Sequence, residues 1–217
     1  MIIKIDWTLC LVADAEIAGD RDLINIIRQA VAGGVTLVQL RAKKLSASAF
    51  LELSLKAASL LRKKKIPLLI NDRPDIALAC RAGGVHLGQD DMPVAAARLL
   101  LGKDRMIGLS VSSLKEALKA EKEGADYVGL GPVFPTLTKD TPLTPLGLRG
   151  VREIRARISI PILAIGGITK DNAPEVIRAG ADGIAVVSAI MSARNIAKGT
   201  RELKSEVKHS FSRKRSG

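Results

Sequence analysis

Short, solidly apolar runs alternate along this chain with longer stretches in which apolar positions recur every three or four residues. The runs lie at 8–13, 36–40, 67–70, 85–87, 106–108, 127–130, 161–165 and 183–187. Most are apolar at every position, which predicts strands buried on both faces, as in a parallel sheet covered by helices. The intervening stretches at 20–32, 49–63, 75–82, 94–101, 114–123, 147–156, 173–179 and 189–206 carry the helical period. In 49–63 that period is Phe50, Leu53, Ala57, Leu60 and Leu61. Ser113 and Asp171 stand where N-caps of two of these helices belong.

Four helices end on nearly the same phrase: Ala32-Gly33-Gly34-Val35, Ala82-Gly83-Gly84-Val85, Glu123-Gly124-Ala125-Asp126 and Ala179-Gly180-Ala181-Asp182. Glycine can take the left-handed conformation that closes a helix, and each phrase runs straight into a strand. The phrases are 50, 41 and 56 residues apart, about two βα units each. Eight strands, eight helices and a quarter-barrel repeat predict a closed (β/α)8 TIM barrel, one α/β domain over 1–207. An open doubly wound sheet is the alternative. No glycine-rich dinucleotide loop follows the first strand, which counts against it.

A length of 217 residues suits a single barrel, and 47% apolar residues supply its core. With three Phe, one Trp and one Tyr, that core must be aliphatic. No run approaches the roughly 18 apolar residues of a membrane helix. The N-terminal stretch is broken by Lys4, Asp6 and Asp14 and lacks the order of a signal peptide. Cys10 and Cys80 sit in apolar surroundings and read as core thiols. A cytoplasmic protein without a membrane partner is the expectation. The formal charge of +12 raises nucleic-acid binding as another class, with steep salt dependence as its signature. Four of the positive charges fall in 208–217, which reads as a basic, disordered tail, and no basic stripe is interleaved with aromatics. An enzyme for polyanionic small molecules, with no nucleic-acid partner, is the expected class. The oligomeric state stays open, a homo-oligomer included.

In such a barrel the functional groups sit where strands end. After the second run, period two puts Gln39, Arg41 and Lys43 on one side, two cations and an amide suited to a diphosphate. The third run ends Asn71-Asp72-Arg73 and the fourth His86-Leu87-Gly88-Gln89-Asp90-Asp91. Asp72 and Asp91 are candidate Mg2+ ligands, since Mg2+ takes one or two carboxylates and fills its shell with water and phosphate oxygens. Each is also a natural turn or cap residue. Ser110 could bond a bound oxygen or cap the next helix. The sixth run opens a long Thr/Pro-rich loop with Thr136, Thr138 and Lys139. Gly166 and Gly167 after the seventh run, and Val187-Ser188 at a helix start after the eighth, match the common barrel phosphate site. His86 reads either as a general base or, more plainly, as a satisfied rim histidine.

Taken together these strand ends resemble the thiamine phosphate synthase family, over about Leu9 to Ile190. The resemblance rests on Gln39-Leu40-Arg41-Ala42-Lys43, Ile70-Asn71-Asp72, Val85-His86-Leu87-Gly88-Gln89-Asp90-Asp91, the stretch from Gly129 to Lys139, Ala164-Ile165-Gly166-Gly167-Ile168 and Val187-Ser188-Ala189-Ile190. It implies a transferase that joins hydroxymethylpyrimidine diphosphate to a thiazole phosphate, giving thiamine phosphate and pyrophosphate. It further implies that Gln39, Arg41, Lys43, Asn71 and Lys139 hold the pyrimidine diphosphate, that Ser110 contacts that substrate, and that Asp72 and Asp91 bind Mg2+. Thr136, Thr138, Gly166 or Gly167, Val187 and Ser188 would cradle the thiazole phosphate. The first strand, Leu9-Cys10-Leu11-Val12-Ala13-Asp14, departs from the aromatic start and Thr-Asp end common in the family, a change expected to touch packing or a peripheral contact. A related isomerase, thiazole tautomerase, shares the barrel but carries a histidine after the glycine of the sixth-strand loop; this chain has Pro132 there.

Overall fold

Every apolar run is a strand, and a helix follows each. The computed structural model describes residues 5–136 and 144–214, with the backbone alone at 213 and 214. In chain order the elements are β1 (Leu9–Asp14), α1 (Ala15–Ala18), α2 (Leu23–Gly33), β2 (Leu37–Arg41), α3 (Ala47–Lys63), β3 (Leu68–Asn71), α4 (Pro74–Ala79), β4 (Gly84–Leu87), α5 (Val94–Leu101), β5 (Met106–Val111), α6 (Leu114–Lys122), β6 (Tyr127–Leu130), α7 (Gly147–Arg155), β7 (Ile162–Ile165), α8 (Ala173–Arg178), β8 (Gly183–Val186), α9 (Ser188–Met191) and α10 (Ile196–Lys214). All strands pair in parallel in sequence order, and β1 closes on β8 with Leu9 opposite Ile184 and Leu11 opposite Val186. The fold is the expected (β/α)8 barrel.

Side chains alternate across a strand, so each strand feeds two cores. Leu11, Leu40, Ile70, Val85, Val128 and Ile184 face outward into the layer beneath the helices. Cys10, Val12, Leu37, Leu69, Tyr127, Leu163 and Ala185 fill the barrel itself. Both faces are dry, hence the solid apolar runs. Full burial of such an aliphatic side chain contributes about 1.5–3 kcal/mol. Tyr127 is the one large ring inside; Gly108 on β5 makes room for it, since a Cβ there would fall within the ring. Trp7 packs against Tyr127 from the N-terminal mouth, with ring centroids 5.0 Å apart.

The quarter repeat has a physical basis at the N-terminal face. The amides of Thr36, Gly83, Asp126 and Asp182 donate to the carbonyls of Leu9, Leu68, Ile107 and Ile162 at 2.8–2.9 Å. Three of the four also reach back with a side chain. Thr36 Oγ1 accepts from the Leu9 amide at 3.0 Å, Asp126 Oδ2 from Ile107 at 2.7 Å, and Asp182 Oδ2 from Ile162 at 2.8 Å. Arg98 and Arg155 neutralise the two aspartates at 2.5 and 2.9 Å. Gly83 has no side chain to complete its clamp. The left-handed helix closers are Gly34, Gly124 and Gly180, but in the second phrase Arg81 takes that role at φ 54°. Gly84 is instead required by contact, because a Cβ there would strike the Met106 carbonyl.

Several local expectations change. Ser113 does cap α6, accepting from the Glu116 amide at 3.2 Å. Asp171 does not cap α8; Asn172 takes the N-cap place, and its Oδ1 accepts from the Thr169 amide. The helix expected over 189–206 is two, because Asn195 caps a new start by accepting from the Lys198 amide at 2.9 Å. The tail expected to be disordered from Lys208 continues α10 as far as Lys214. The reason is spacing: Leu203, Val207 and Phe211 share a face that packs on the barrel's outer core, and Ser210 beside them is buried. Both cysteines are free and buried, as expected, and burial pushes the Cys10 thiol up to about 12. Among the described residues no helix is long and apolar enough to cross a membrane.

Candidate active site

Buried polar side chains gather in the barrel interior near the C-terminal strand ends. Gln39, Asn71 and His86 are buried there in the inward-facing register, level with the end of the apolar filling. Arg41, at the end of β2, is held by two carboxylates. Its Nη1 donates to Asp14 and, at 3.2 Å, to Glu16 Oε2. Asp14 is only 2% exposed and also caps α1, accepting from the Glu16 and Ile17 amides at 2.9 and 3.1 Å. Glu16 in turn accepts from the Lys44 amide at 3.0 Å, which ties the loop after β2 to α1. A guanidinium clamped in this way presents its remaining N–H groups in a fixed direction, suited to a phosphate oxygen.

Asp72 lies one residue beyond β3. Its backbone is left-handed at φ 62°, and its amide donates to the His86 carbonyl at 2.8 Å. Lys43 Nζ sits 3.0 Å from Asp72 Oδ2. Asp91 turns back so that its Oδ2 accepts from the Gly88 amide at 2.6 Å, and its carboxylate meets that of Asp72. Burial, and then this second carboxylate, push the Asp72 carboxyl above its ordinary range, outweighing Lys43. The pair is therefore short of positive charge, which is the condition a divalent cation would relieve. Among the described residues no group of three or more His, Cys, Asp or Glu that could hold a metal ion is present. A cavity of about 200 Å³ opens beside the pair, lined by Lys43, Phe50, Asn71, Asp72 and Arg73.

Deeper in the barrel, His86 Nδ1 lies 2.7 Å from the Tyr127 hydroxyl and its Nε2 2.9 Å from Ser110 Oγ. His86 is thus an interior residue with its ring nitrogens engaged, the plainer of the two readings. Gln89 Nε2 donates to the Ser110 carbonyl at 2.6 Å, fixing the end of β5 from the other side.

The loops after β6 and β7 pack backbone on backbone. The Val133 amide donates to the Ile165 carbonyl at 2.9 Å and the Phe134 amide to the Gly166 carbonyl at 3.0 Å. Gly166 and Gly167 are both left-handed, and a Cβ on either would lie 2.7 Å or less from Pro132 or Pro135 atoms. Their immediate reason is this loop contact. Val187 leads into α9 and Ser188 begins it, after β8, which adjoins β1 in the ring. Thr136 is exposed. Thr138 and Lys139 lie outside the described residues. The sequence thus places one group on β2 to β5 and a second at the β6 to β8 ends.

A model of the thiamine monophosphate synthase family matches residues 9–190. The chain belongs to that family. The thiamine-phosphate synthase of Chloroflexus aurantiacus is 49% identical over 203 residues, spanning 94% of each chain. The thiamine phosphate pyrophosphorylase of Pyrococcus furiosus has the same structure at a TM-score of 0.87 and 40% identity, over 95% of this chain and 98% of that one. 3-Hexulose-6-phosphate synthase, at a TM-score of 0.67 and 17% identity, shares the fold alone.

For a thiamine monophosphate synthase family member, the strand-end sequences left out Asp14, Glu16 and Tyr127. Asp14 ends its strand in the same way as Asp72 follows its own, a signal that was available, yet the first-strand departure was expected to be peripheral. Ala13, where that strand end departs, packs in the outer core, while the Asp14 it keeps makes the buried contact with Arg41. Tyr127 hid inside an apolar run. Its signal was the pair of glycines, Gly108 and Gly129, at inward positions of adjacent strands.

Proposed function

We propose that this chain is a thiamine phosphate synthase, a transferase that joins hydroxymethylpyrimidine diphosphate to a thiazole phosphate with release of pyrophosphate. The observation that carries the proposal is near-half identity to a thiamine-phosphate synthase along 94% of the chain. The clamped arginine and the paired carboxylates at neighbouring strand ends support it. Arg41, Lys43, Gln39, Asn71 and Lys139 hold the diphosphate. Their positive charge and N–H groups stabilise the negative charge that gathers on it as the bond from its oxygen to the pyrimidine methylene breaks. The electron pair leaves with the diphosphate. The methylene cation left behind is stabilised by the pyrimidine ring until the thiazole nitrogen attacks and the new C–N bond forms. Ser110 contacts the pyrimidine substrate. Thr136, Thr138, Gly166 or Gly167, Val187 and Ser188 place the thiazole phosphate so that its nitrogen faces the methylene. Such chemistry needs leaving-group stabilisation and alignment rather than a strong base, which fits the residues at these strand ends.

Asp72 and Asp91 would hold Mg2+, and their shortage of positive charge fits that role. When bound, the ion supplies charge neutralisation on the diphosphate oxygens. The test is direct: incubate the protein with both substrates and Mg2+, and follow thiamine phosphate and pyrophosphate with a chelated control. Metal-dependent formation of both products is expected. Isomerisation of the thiazole substrate without joining would transfer the assignment to a tautomerase.

A further inference from the structure

Ser110 does not stand alone at its strand end. Beneath it runs a buried polar chain: Ser110 Oγ to His86 Nε2 at 2.9 Å, and His86 Nδ1 to the Tyr127 hydroxyl at 2.7 Å. The barrel is shaped to hold this chain. Gly108 vacates the volume of the Tyr127 ring, and a Cβ on Gly129 would lie 2.7 Å from His86 Cε1. Two neighbouring strands thus surrender interior side chains so that two rings can lie in line, their centroids 5.5 Å apart.

The direction of the chain follows from the chemistry of its lower end. Tyr127 is wholly buried, and burial pushes its phenol well above the ordinary value, so the hydroxyl keeps its proton. The structure gives that hydroxyl His86 Nδ1 as its hydrogen-bond partner, so it directs its proton there. A neutral imidazole that accepts at Nδ1 carries its proton on Nε2. That proton points at Ser110 Oγ.

We infer that His86 and Tyr127 are positioning residues that lock Ser110 as a hydrogen-bond donor toward the pyrimidine substrate. With one lone pair of Oγ taken by His86, the Ser110 O–H is left to turn into the barrel mouth. There it meets an acceptor, a ring nitrogen or a diphosphate oxygen. The same arrangement keeps the imidazole neutral. An imidazolium at this depth would oppose a methylene cation forming above it. The geometry stands without the synthase assignment; the catalytic consequence rests on it.

Two measurements test this on the full chain. The protein has two histidines, so 15N-histidine labelling with a His209→Gln variant assigns the His86 resonances without ambiguity. The Nε2-protonated neutral tautomer is expected, and Tyr127→Phe, which keeps the ring, should shift population toward Nδ1–H. An Nδ1-protonated or doubly protonated ring in the wild type would overturn the inference. The second measurement is a kinetic cycle. His86→Leu should lower kcat on the order of tenfold to a hundredfold, the scale set by a misplaced contact group, with the thiazole KM unchanged. His86→Gln, whose amide can still donate to Ser110, should recover most of the loss. In a Ser110→Ala background, His86→Leu should change kcat less than twofold, because the two act as a unit. Additive losses would reduce His86 to packing. A wild-type chain with the expected tautomer and no joining activity would remove the synthase reading while leaving the hydrogen-bond direction decided.

Discussion

Asp72 answers to three demands at once. Its backbone is left-handed, its carboxylate faces Asp91, and it is half-buried beside Lys43. Asn tolerates that backbone as Asp does, so Asp72→Asn removes the charge and little else. Because burial and Asp91 raise the Asp72 pKa, the ionised form is the one that costs stability. That cost is absent below about pH 4, where the carboxyl is protonated folded or unfolded, and is complete once pH has risen through the raised folded value. Thermal melts of metal-free protein should therefore show Asp72→Asn more stable than the parent at pH 8, by roughly 2–4 °C for each kcal/mol relieved. The difference should vanish at pH 3.5. Turnover should fall in the same variant, since half of the proposed Mg2+ pair is gone. Asp14→Asn addresses the other anchored charge. It keeps the α1 cap but loosens Arg41, so kcat/KM for the pyrimidine substrate should drop about tenfold, the loss of a charge-assisted bond, in steady-state assays. Asp72 was legible from sequence as a strand-end carboxylate because it directly follows an apolar run. The Asp14–Arg41 contact was not, because it depends on β1 and β2 being neighbours, which residue spacing alone does not state.

At the scale of elements, the strands were legible because two dry faces leave a solid apolar run, and boundaries moved by a residue or two. β5 ran longer than expected because Ser110, polar but inward-facing, interrupts the apolar pattern without ending the strand. The last helix was misread in both directions. Asn195 divides it early, and the face formed by Leu203, Val207 and Phe211 carries it past a charge-rich stretch that looked too polar to order. Its packing on α2 depends on Gly33, where a Cβ would lie 2.5 Å from Thr200 Cβ and 2.6 Å from the Ala197 carbonyl. Gly33→Ala gains about 1 kcal/mol in helix propensity. It must push α10 outward, an overpacking cost of about 1–3 kcal/mol. A net fall in Tm of a few degrees is expected by calorimetry, with activity preserved because the contact lies far from the barrel mouth. An unchanged Tm would mean that α10 is held elsewhere.

Across the whole molecule the two ends of the barrel do different work. The C-terminal mouth gathers Arg41, Lys43, Asp72, Asp91 and Ser110 at strand ends and on the loops after them, while the N-terminal face is fastened by side chains that reach back one strand. The repeat of those fastenings was visible as four similar phrases. Their alignment was not, since Arg81 rather than a glycine matches Gly34, Gly124 and Gly180. The unfinished clamp at Gly83 has a dynamic consequence. Without a side-chain acceptor, the Leu68 amide should exchange with solvent deuterium about fivefold faster than those of Leu9, Ile107 and Ile162, the equivalent of one modest hydrogen bond. Gly83→Asp should slow it, and equal rates in the parent would show that the clamps confer no protection. The start of β3 is then the compliant seam in an otherwise latched ring. Because β3 is only four residues long, breathing at Leu68 is transmitted along one short strand to Asn71 and Asp72. On the proposed function, that seam would give the carboxylate end of the site the freedom to adjust to a diphosphate as it arrives and departs.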